Sequence, residues 1–280
     1  MSNLKSQISN NSTLSIIIVT YNSEKQITPL LDSIYREKGS LSLETIIVDN
    51  LSADDSFTIA KTHRLKPKMI QTGYNAGFPA AVNRGIKISS GSYVLLLNPD
   101  TVVMRGTLQR LLEFAKKTDP LGAVAPRLLN PDGKPQASVF KFPGIINAIK
   151  QDFGHCKNCF GKYLPDNHTQ KIEVAVMAAF LIPRTTIDLL GGLNEKYFMY
   201  YEDFEFCRQL VRHRLPLYYL PSAKVRHIHG ASGHFGSHQE SPLLASAKLY
   251  HGEFYSDILN LILWAGHKWQ VILRGKKFRD

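Results

Sequence analysis

The sequence predicts an α/β fold: a mostly parallel, doubly wound sheet with helices on both faces and a C-terminal helical extension. Three observations carry that expectation. Apolar runs of strand length alternate with helical stripes through the first hundred residues, the pattern of successive βα units. The runs are continuously apolar and rich in Ile, Leu and Val, as strands covered on both faces require. With 44% apolar and 20% charged residues over 280 positions, the chain is long enough to bury a large core.

The elements follow in order. Leu14–Thr20 (LSIIIVT) reads as a buried first strand. Ser23–Lys38 is helical, with Ile27, Leu30, Leu31, Ile34 and Tyr35 on one stripe and Gly39 as the stop. Leu43–Asp49 is the second strand, and Ser52 or Asp54 caps the helix after it. Met69–Thr72 makes a short third strand and Pro79–Ser89 a helix. Ser92–Leu97 is a fourth strand ending at Asn98-Pro99-Asp100. Arg105–Lys117 is helical, Gly122–Leu128 is a strand, and Asn130-Pro131-Asp132-Gly133 is a turn. Residues 142–170, rich in Pro, Gly, Asn and Lys, read as a mobile loop or insertion. Ordered pattern returns at Ile172–Pro183, then a helix over Asp203–Arg214 and short strands near Leu217–Leu220 and Lys224–Ile228. The last forty residues are helical in pattern.

Composition narrows the function. Three cysteines are too few for a disulfide scaffold, and no apolar stretch reaches the roughly 18 to 20 residues of a membrane span. The start, MSNLKSQISNNST, is polar and does not read as a signal peptide, so the chain is expected to be cytoplasmic, with residues 1–13 flexible. The net charge of +11 lies mostly beyond the first hundred residues. Such a balance fits nucleic acid, an anionic membrane or phosphorylated substrates. No zinc-finger or RRM signature and no basic run with interleaved aromatics marks the first half, so nucleic acid is not an expected partner.

In an open parallel sheet, ligands bind beyond the carboxyl ends of the strands. Here those ends carry Thr20-Tyr21-Asn22, Asp49-Asn50, Gly73-Tyr74-Asn75 and Asn98-Pro99-Asp100. A single Asp after a strand is ordinarily a helix cap; four polar strand ends aimed at one crevice call for a ligand. Asp49 has the chemistry to accept from a pyrimidine N3–H, and Asp100 to hold a hard divalent cation. The turn after strand one, TYNSEK, lacks the G-x-G-x-x-G of a dinucleotide fold, and no P-loop is present.

The segments IIIVTYNS, IIVDNLSADDS, GYNAGFPAAVNRGI and YVLLLNPDTVV resemble the GT-A nucleotide-sugar domain of family 2 glycosyltransferases. GGLNEKYFMYYEDFEFCRQLVRHRLPLYYLPSAKVRHIHGAS is similar to the acceptor half of the same family, in its rhamnosyltransferase-like branch of surface-polysaccharide synthesis. The resemblance runs from about Leu14 to Ser232. It implies a nucleotide-sugar half at 14–128, an acceptor-binding and catalytic half at 129–238, and a C-terminal helical segment at 239–280.

It also implies residue roles. The D-x-D metal motif reads Asn98-Pro99-Asp100, so one carboxylate remains to hold Mg²⁺ or Mn²⁺, joined by His227 with His229 as competitor. Glu202-Asp203 occupies the position of the general base; an acceptor hydroxyl must lose a proton as it attacks, and Asp203 is the first choice. The plainer alternative is a helix start where acids favour the dipole. Thr20, Tyr21, Asn22, Asp49, Ser52, Asn75, Gly77, Asn83, Arg84 and Asn98 are expected nucleotide-sugar contacts. Phe198, Met199, Tyr200 and Tyr201 are an expected apolar floor for a sugar or acceptor ring.

The expected activity is inverting transfer of a sugar, with dTDP-L-rhamnose as first-choice donor, to a lipid-linked surface glycan. UDP-galactofuranose or another UDP-hexose is the alternative donor. A non-catalytic nucleotide-sugar-binding protein is the rival from another class. Cys156 and Cys159 form a CxxC without a second pair at zinc spacing, and His227, His229, His234 and His238 read mostly as a polar loop. Residues 254–279 pair Trp264, Trp269 and many aliphatics with Lys268, Arg274, Lys276, Lys277 and Arg279. They are expected to lie on the cytoplasmic face of an anionic membrane, or else to pack on the domain or on a second subunit of a homodimer.

Overall fold

The computed structural model describes residues 14–154, 156, 158–228 and 241–276, with side chains placed as far as 269. Residues 1–13, His229, His234, His238, Lys277 and Arg279 lie outside the described residues, as do the side chains of Arg274 and Lys276.

The first half forms as its periodicity predicts. β1 (Leu14–Thr20), α1 (Glu24–Glu37), β2 (Leu43–Asp49), α2 (Ser56–Thr62), β3 (Lys68–Gln71), α3 (Phe78–Ile88) and β4 (Tyr93–Leu97) succeed one another. β1 pairs in parallel with β2 and β4, and β2 with β3. The register sets Thr20 beside Asp49 and Asp49 beside Gln71, so these strand ends share one edge of the sheet. Alternation sorts the core. Ile16, Ile18, Leu95 and Leu97 pack against α1 on one face, while Ile17, Ile46, Val48 and Leu96 pack with Ala81 and Val82 of α3 on the other.

Beyond β4 the sheet becomes mixed. The remaining elements are β5 (Thr101–Val103), α4 (Thr107–Lys117), β6 (Ala123–Leu129), β7 (Val139–Phe140), α5 (Ile145–Asp152), β8 (Gln170–Ile172), β9 (Val174–Ala175), β10 (Ala179–Pro183), α6 (Arg184–Leu190), α7 (Glu202–Arg212), β11 (Leu217–His227), α8 (Pro242–His251) and α9 (Glu253–Lys276). The order across the sheet is β3-β2-β1-β4-β10-β6-β11-β5, with β8 beside β11. β10 runs antiparallel to both β4 and β6, and β5 antiparallel to β11. The sheet is therefore mixed: parallel from β3 through β4 and again between β6 and β11, and antiparallel where β10, β5 and β8 pair. A buried apolar run such as AFLIP shows that both faces are covered, and it carries no sign of direction.

These reversals place the later strand ends. β4 and β6 both oppose β10 and so run the same way, and β11 is parallel to β6. The carboxyl end of β11, His227, therefore reaches the same edge as Thr20, Asp49 and Asn98. The two short strands expected near Leu217 and Lys224 are one strand whose register slips between Leu220 and Lys224. The expected loop at 142–170 contains α5 and a Cys156–Cys159 disulfide, with Gln151 Oε1 accepting from the amides of Cys159 and Phe160. Among the described residues no helix is long and apolar enough to cross a membrane.

A seam joins the two halves beside this edge. The Phe78 amide donates to the Phe198 carbonyl at 2.9 Å. Asn83 Nδ2 donates to the Leu193 carbonyl at 2.8 Å, while its Oδ1 accepts from the Leu193 amide at 2.9 Å. Gly77 adopts a positive φ (+82°) that disfavours any side chain, and a Cβ there would collide with the Phe198 carbonyl oxygen. Gly77→Ala therefore combines an unfavourable φ with a backbone clash and should cost about 2–5 kcal/mol of stability. The check is urea unfolding followed by far-UV circular dichroism; an unchanged midpoint would refute the seam's tightness.

Candidate active site

Four groups of polar side chains collect along the carboxyl edge, and their electrostatic states differ. At the ends of β1 and β2, Asp49 is fully buried and saturated with donors. Its Oδ1 accepts from Thr20 Oγ1 (2.9 Å) and Ser52 Oγ (2.6 Å), and its Oδ2 from the Ser52 amide at 3.0 Å. Asn22 extends the same clasp, taking the Ala53 amide on its side-chain oxygen at 2.8 Å. In this conformation the Asp49 carboxylate has no exposed surface and organises the strand ends. Tyr21, at 48% exposed, and Asn22 are the groups that front the crevice.

The loop after β3 is the second group. Asn50 Nδ2 donates to the Gly77 carbonyl at 3.1 Å, and Asn75 Oδ1 accepts from the Gly77 amide at 3.2 Å. Arg84 donates to the Thr72 carbonyl and the Tyr74 hydroxyl, both at 3.0 Å, with its guanidinium over the Tyr74 ring. Asn83 is held in the seam and also donates to Glu195. In this conformation Asn83 and Arg84 are held by protein groups beside the strand ends.

The third group joins residues 127 positions apart in sequence. The short β5 pairs with β11 so that His227 lies opposite Thr101, and the Ile228 amide donates to the Asp100 carbonyl at 3.0 Å. His227 Nε2 stands 3.5 Å from Asp100 Oδ1, both side chains being nearly inaccessible. His227 Nδ1 is 2.8 Å from Gln136 Oε1. Gln136 Nε2 donates to Asn130 Oδ1 and to the His227 carbonyl, which fixes the amide's orientation and makes Nδ1 the protonated nitrogen. In the neutral ring the Nε2 lone pair faces an Asp100 oxygen that makes no hydrogen bond, and in the charged ring the two form an ion pair at 3.5 Å. Two acceptors aimed at each other across such a gap are suited to sharing a cation, and an Nδ1–H held by an amide is the usual outer support of a metal-binding imidazole. A divalent ion fits these two ligands, with the rest of its shell left to water and phosphate oxygens. Among the described residues no cluster of three or more His, Cys, Asp or Glu side chains could hold a metal by itself. Asn98, the amide in place of the first motif carboxylate, is half-buried, with its carbonyl taking Thr101 Oγ1 at 2.7 Å.

The fourth group opens α7. Tyr200 and Tyr201 both adopt positive φ (+69° and +63°), a step that costs on the order of 1–2 kcal/mol for each non-glycine residue. It turns the chain abruptly so that Glu202 and Asp203 start the helix. The pair is partly reached by solvent yet ringed by protein, and burial pushes both carboxyls above the ordinary range, Glu202 further through repulsion from Asp203. The Phe204 amide (2.8 Å from Asp203 Oδ1) and the Lys162 ammonium hold Asp203 below its neighbour. Asp203 is thus the member that ionises first. Lys162, which lies over the Phe140 ring, was not foreseen; a single lysine in an irregular segment gives no sequence signal. Glu205 pairs with Arg208 deeper in the helix. Phe198 and Tyr200, each 39% exposed, lie in the turn just before the pair.

The left-handed step is held by rings from the C-terminal segment. Tyr201 packs on Phe204 (5.2 Å), Tyr250 (5.3 Å) and His251 (5.7 Å). Aromatic pairs contribute about 0.5–1.5 kcal/mol each beyond burial, enough to offset the backbone cost. Ser246 Oγ also donates to the Met199 carbonyl at 2.8 Å.

The family model for Glycosyl transferase family 2 matches residues 15–174. The N-acetylglucosaminyl-diphospho-decaprenol L-rhamnosyltransferase of Mycobacterium tuberculosis is 26% identical over 275 residues, spanning 85% of this chain and 85% of that protein. The low-salt glycan biosynthesis hexosyltransferase Agl10 of Haloferax volcanii is 28% identical over 72% of this chain, which spans 62% of that relative's length. In fold the chain is similar to S. aureus TarS 1–349 in complex with UDP-GlcNAc (TM-score 0.61, 19% identity, 90% of this chain and 70% of that one). It is also similar to GalNAc-T7 with UDP, GalNAc and Mn²⁺ (TM-score 0.64, 17% identity, 85% of this chain and 47% of that one).

The raised carboxyls make a stability prediction. The folded state holds protons that the unfolded chain releases near the ordinary values of 4.5 and 3.8, so folding weakens as pH rises from there to the pair's own ionisation. Glu202→Gln removes much of that penalty. It should raise Tm at pH 8, with the gain vanishing below about pH 4. A gain independent of pH, or none, would show that the pair carries no burial penalty.

Proposed function

This chain belongs to glycosyl transferase family 2, and from that premise we propose that it transfers a sugar from a nucleoside diphosphate to a lipid-linked glycan with inversion at the anomeric carbon. The observation that carries this reading is the paired carboxyl group at the mouth of the crevice, with one member poised to take a proton near neutral pH. A binding protein has no use for two repelling carboxyls held by a strained turn.

In the proposed reaction, the acceptor hydroxyl oxygen bonds to the anomeric carbon as the bond from that carbon to the diphosphate oxygen breaks. The hydroxyl proton passes to the Asp203 carboxylate, while Glu202, protonated at the same pH, relieves the repulsion. Tyr21, Asn22, Asn75 and Asn98 front the donor, with Thr20, Asp49 and Ser52 behind them. Asp100 and His227 would hold Mg²⁺ or Mn²⁺, which supplies positive charge against the departing diphosphate. Phe198 and Tyr200 offer ring faces to a sugar, while the Tyr201 ring is taken up by Phe204, Tyr250 and His251. dTDP-L-rhamnose is the first-choice donor, supported by the name and matching length of the mycobacterial relative. A UDP-sugar, UDP-galactofuranose or a UDP-hexose, is the second, supported by the likeness to TarS bound to UDP-GlcNAc.

Attachment to the cytoplasmic face of a membrane completes the proposal. α9 packs on α5, with the Ile145 amide donating to the Tyr255 hydroxyl at 3.0 Å and Phe153 beside Trp269. The helix nevertheless leaves Phe254, Leu261 and Trp264 largely in solvent at 81%, 62% and 61%, with Lys268 over the Trp264 ring. Packing on the domain, one of the two expectations for this segment, thus accounts for one side of the helix. The other is suited to the interface of an anionic leaflet, where each basic residue contributes about 1 kcal/mol.

Asp203→Asn should lower turnover by about 10² to 10⁴ while leaving donor-induced thermal stabilisation intact. Asp100→Ala should remove the dependence of that stabilisation on Mg²⁺ or Mn²⁺. If Asp203→Asn turns over normally and Glu202→Gln does not, the assignment within the pair is reversed. Activity in both variants overturns the mechanism.

Neutralising Arg274, Lys276, Lys277 and Arg279 together should weaken sedimentation with anionic vesicles, as should added salt. Transfer to a short soluble acceptor should be unchanged. Wild-type protein that ignores anionic vesicles at low salt would assign the exposed face to a second subunit instead.

A further inference from the structure

Tyr201 is the last residue before the carboxylate pair, and its side chain makes no capping hydrogen bond. Its left-handed backbone is therefore held by what surrounds its ring. Phe204 lies on the same helix and moves with it. The external contacts come from α8, more than forty residues later: Tyr250 at 5.3 Å with planes inclined by 43°, and His251 edge-on at 5.7 Å and 80°. His251 is itself pinned, edge-on to Tyr250 at 4.8 Å and stacked on Tyr255 at 5.1 Å and 14°. Arg208 caps the Tyr250 ring at 4.2 Å.

We propose that Tyr250 and His251 are positioning residues, clamping the Tyr201 ring so that the turn into α7 holds Glu202 and Asp203 at the mouth of the crevice. This rests on the function proposed above for that pair. The role belongs to the rings and not to the imidazole nitrogens. His251 Nε2 is buried without a hydrogen-bond partner, and the aromatic surroundings together with Arg208 favour the neutral ring. A phenyl group would serve the clamp as well and would remove an orphaned polar atom, a change that is neutral or stabilising.

The test compares His251→Phe with His251→Leu in the full chain. With the sugar nucleotide that wild type turns over, the Leu variant should lose about tenfold in kcat with donor KM within twofold. The Phe variant should keep wild-type kcat and a Tm no lower than wild type. Tyr201→Leu should lose about as much as His251→Leu, and the double variant little more than either, because both disable one clamp.

A second readout needs no substrate. The fall in Tm between pH 4 and pH 8, caused by burial of Glu202 and Asp203, should flatten in His251→Leu as the loosened turn lets the pair hydrate. It should persist in His251→Phe, which equally lacks the imidazole titration. The charged and titratable groups around the pair and the clamp, Lys162, Glu205, Arg208, Tyr197, Cys207, Tyr250 and Tyr255, are common to both variants. If His251→Leu does not fold, Tyr250→Ala, which removes the other external ring on Tyr201 and keeps His251, should show the same kcat loss and flattening. Unchanged kcat and an unchanged pH slope in a folded Leu or Ala variant would overturn the clamp. An inert wild type with the predicted slopes would instead fault the proposed reaction and leave the clamp standing.

Discussion

The site depends first on the seam between the two halves of the domain. The polar strand ends of β1, β2 and β4 come from the first hundred residues, and the carboxylate pair from residues 202 and 203. What fixes one against the other is the Phe78–Phe198 backbone bond, the Asn83 amide locked on Leu193, and the bare Gly77 backbone that lets the start of α3 touch the segment before α7. Each hydrogen bond contributes about 1 kcal/mol net, yet leaving any of these partly buried groups unpaired would cost more. The seam's cost falls asymmetrically: modest to form, severe to break.

Four carboxylates near one sheet edge show how environment divides labour among identical chemistry. Asp49 is saturated by donors and is spent on structure. Asp100 has a buried oxygen without a donor, facing an imidazole lone pair, and is left wanting positive charge. Glu202 and Asp203 oppose each other and hold their protons more tightly than exposed carboxyls do. Saturation, electron-rich pairing and mutual repulsion suit a carboxyl respectively to bracing, to attracting a cation and to taking up a proton.

Much of this was legible in the sequence, because the elements around the crevice obey strong local rules. β1 and β2 match the predicted Leu14–Thr20 and Leu43–Asp49, since continuous apolar runs bounded by polar turns leave few alternatives. Strand direction beyond β4 was not legible, because burial on both faces looks alike whichever way a strand runs. α5 and the Cys156–Cys159 bridge were hidden by a composition rich in turn formers. Residues held by long-range contacts escaped as well: Gln136 orients His227 across 91 positions, and Tyr250 reaches Tyr201 from another helix. Strand ends and glycine-rich turns advertise polar groups such as Asp49, Asn83 and Arg84 without revealing which protein groups hold them.

The two tryptophans of the chain, Trp264 and Trp269, both lie on α9 and both keep a substantial part of their surface in solvent. Tryptophan emission is therefore an optical label confined to one helix, blind to the sheet that forms the catalytic domain. Unfolding followed by fluorescence reports the release of α9 from α5, whereas far-UV circular dichroism reports the whole. Coincident curves would mark the C-terminal helix as part of a single cooperative unit, and separated curves would mark it as an independently detachable one.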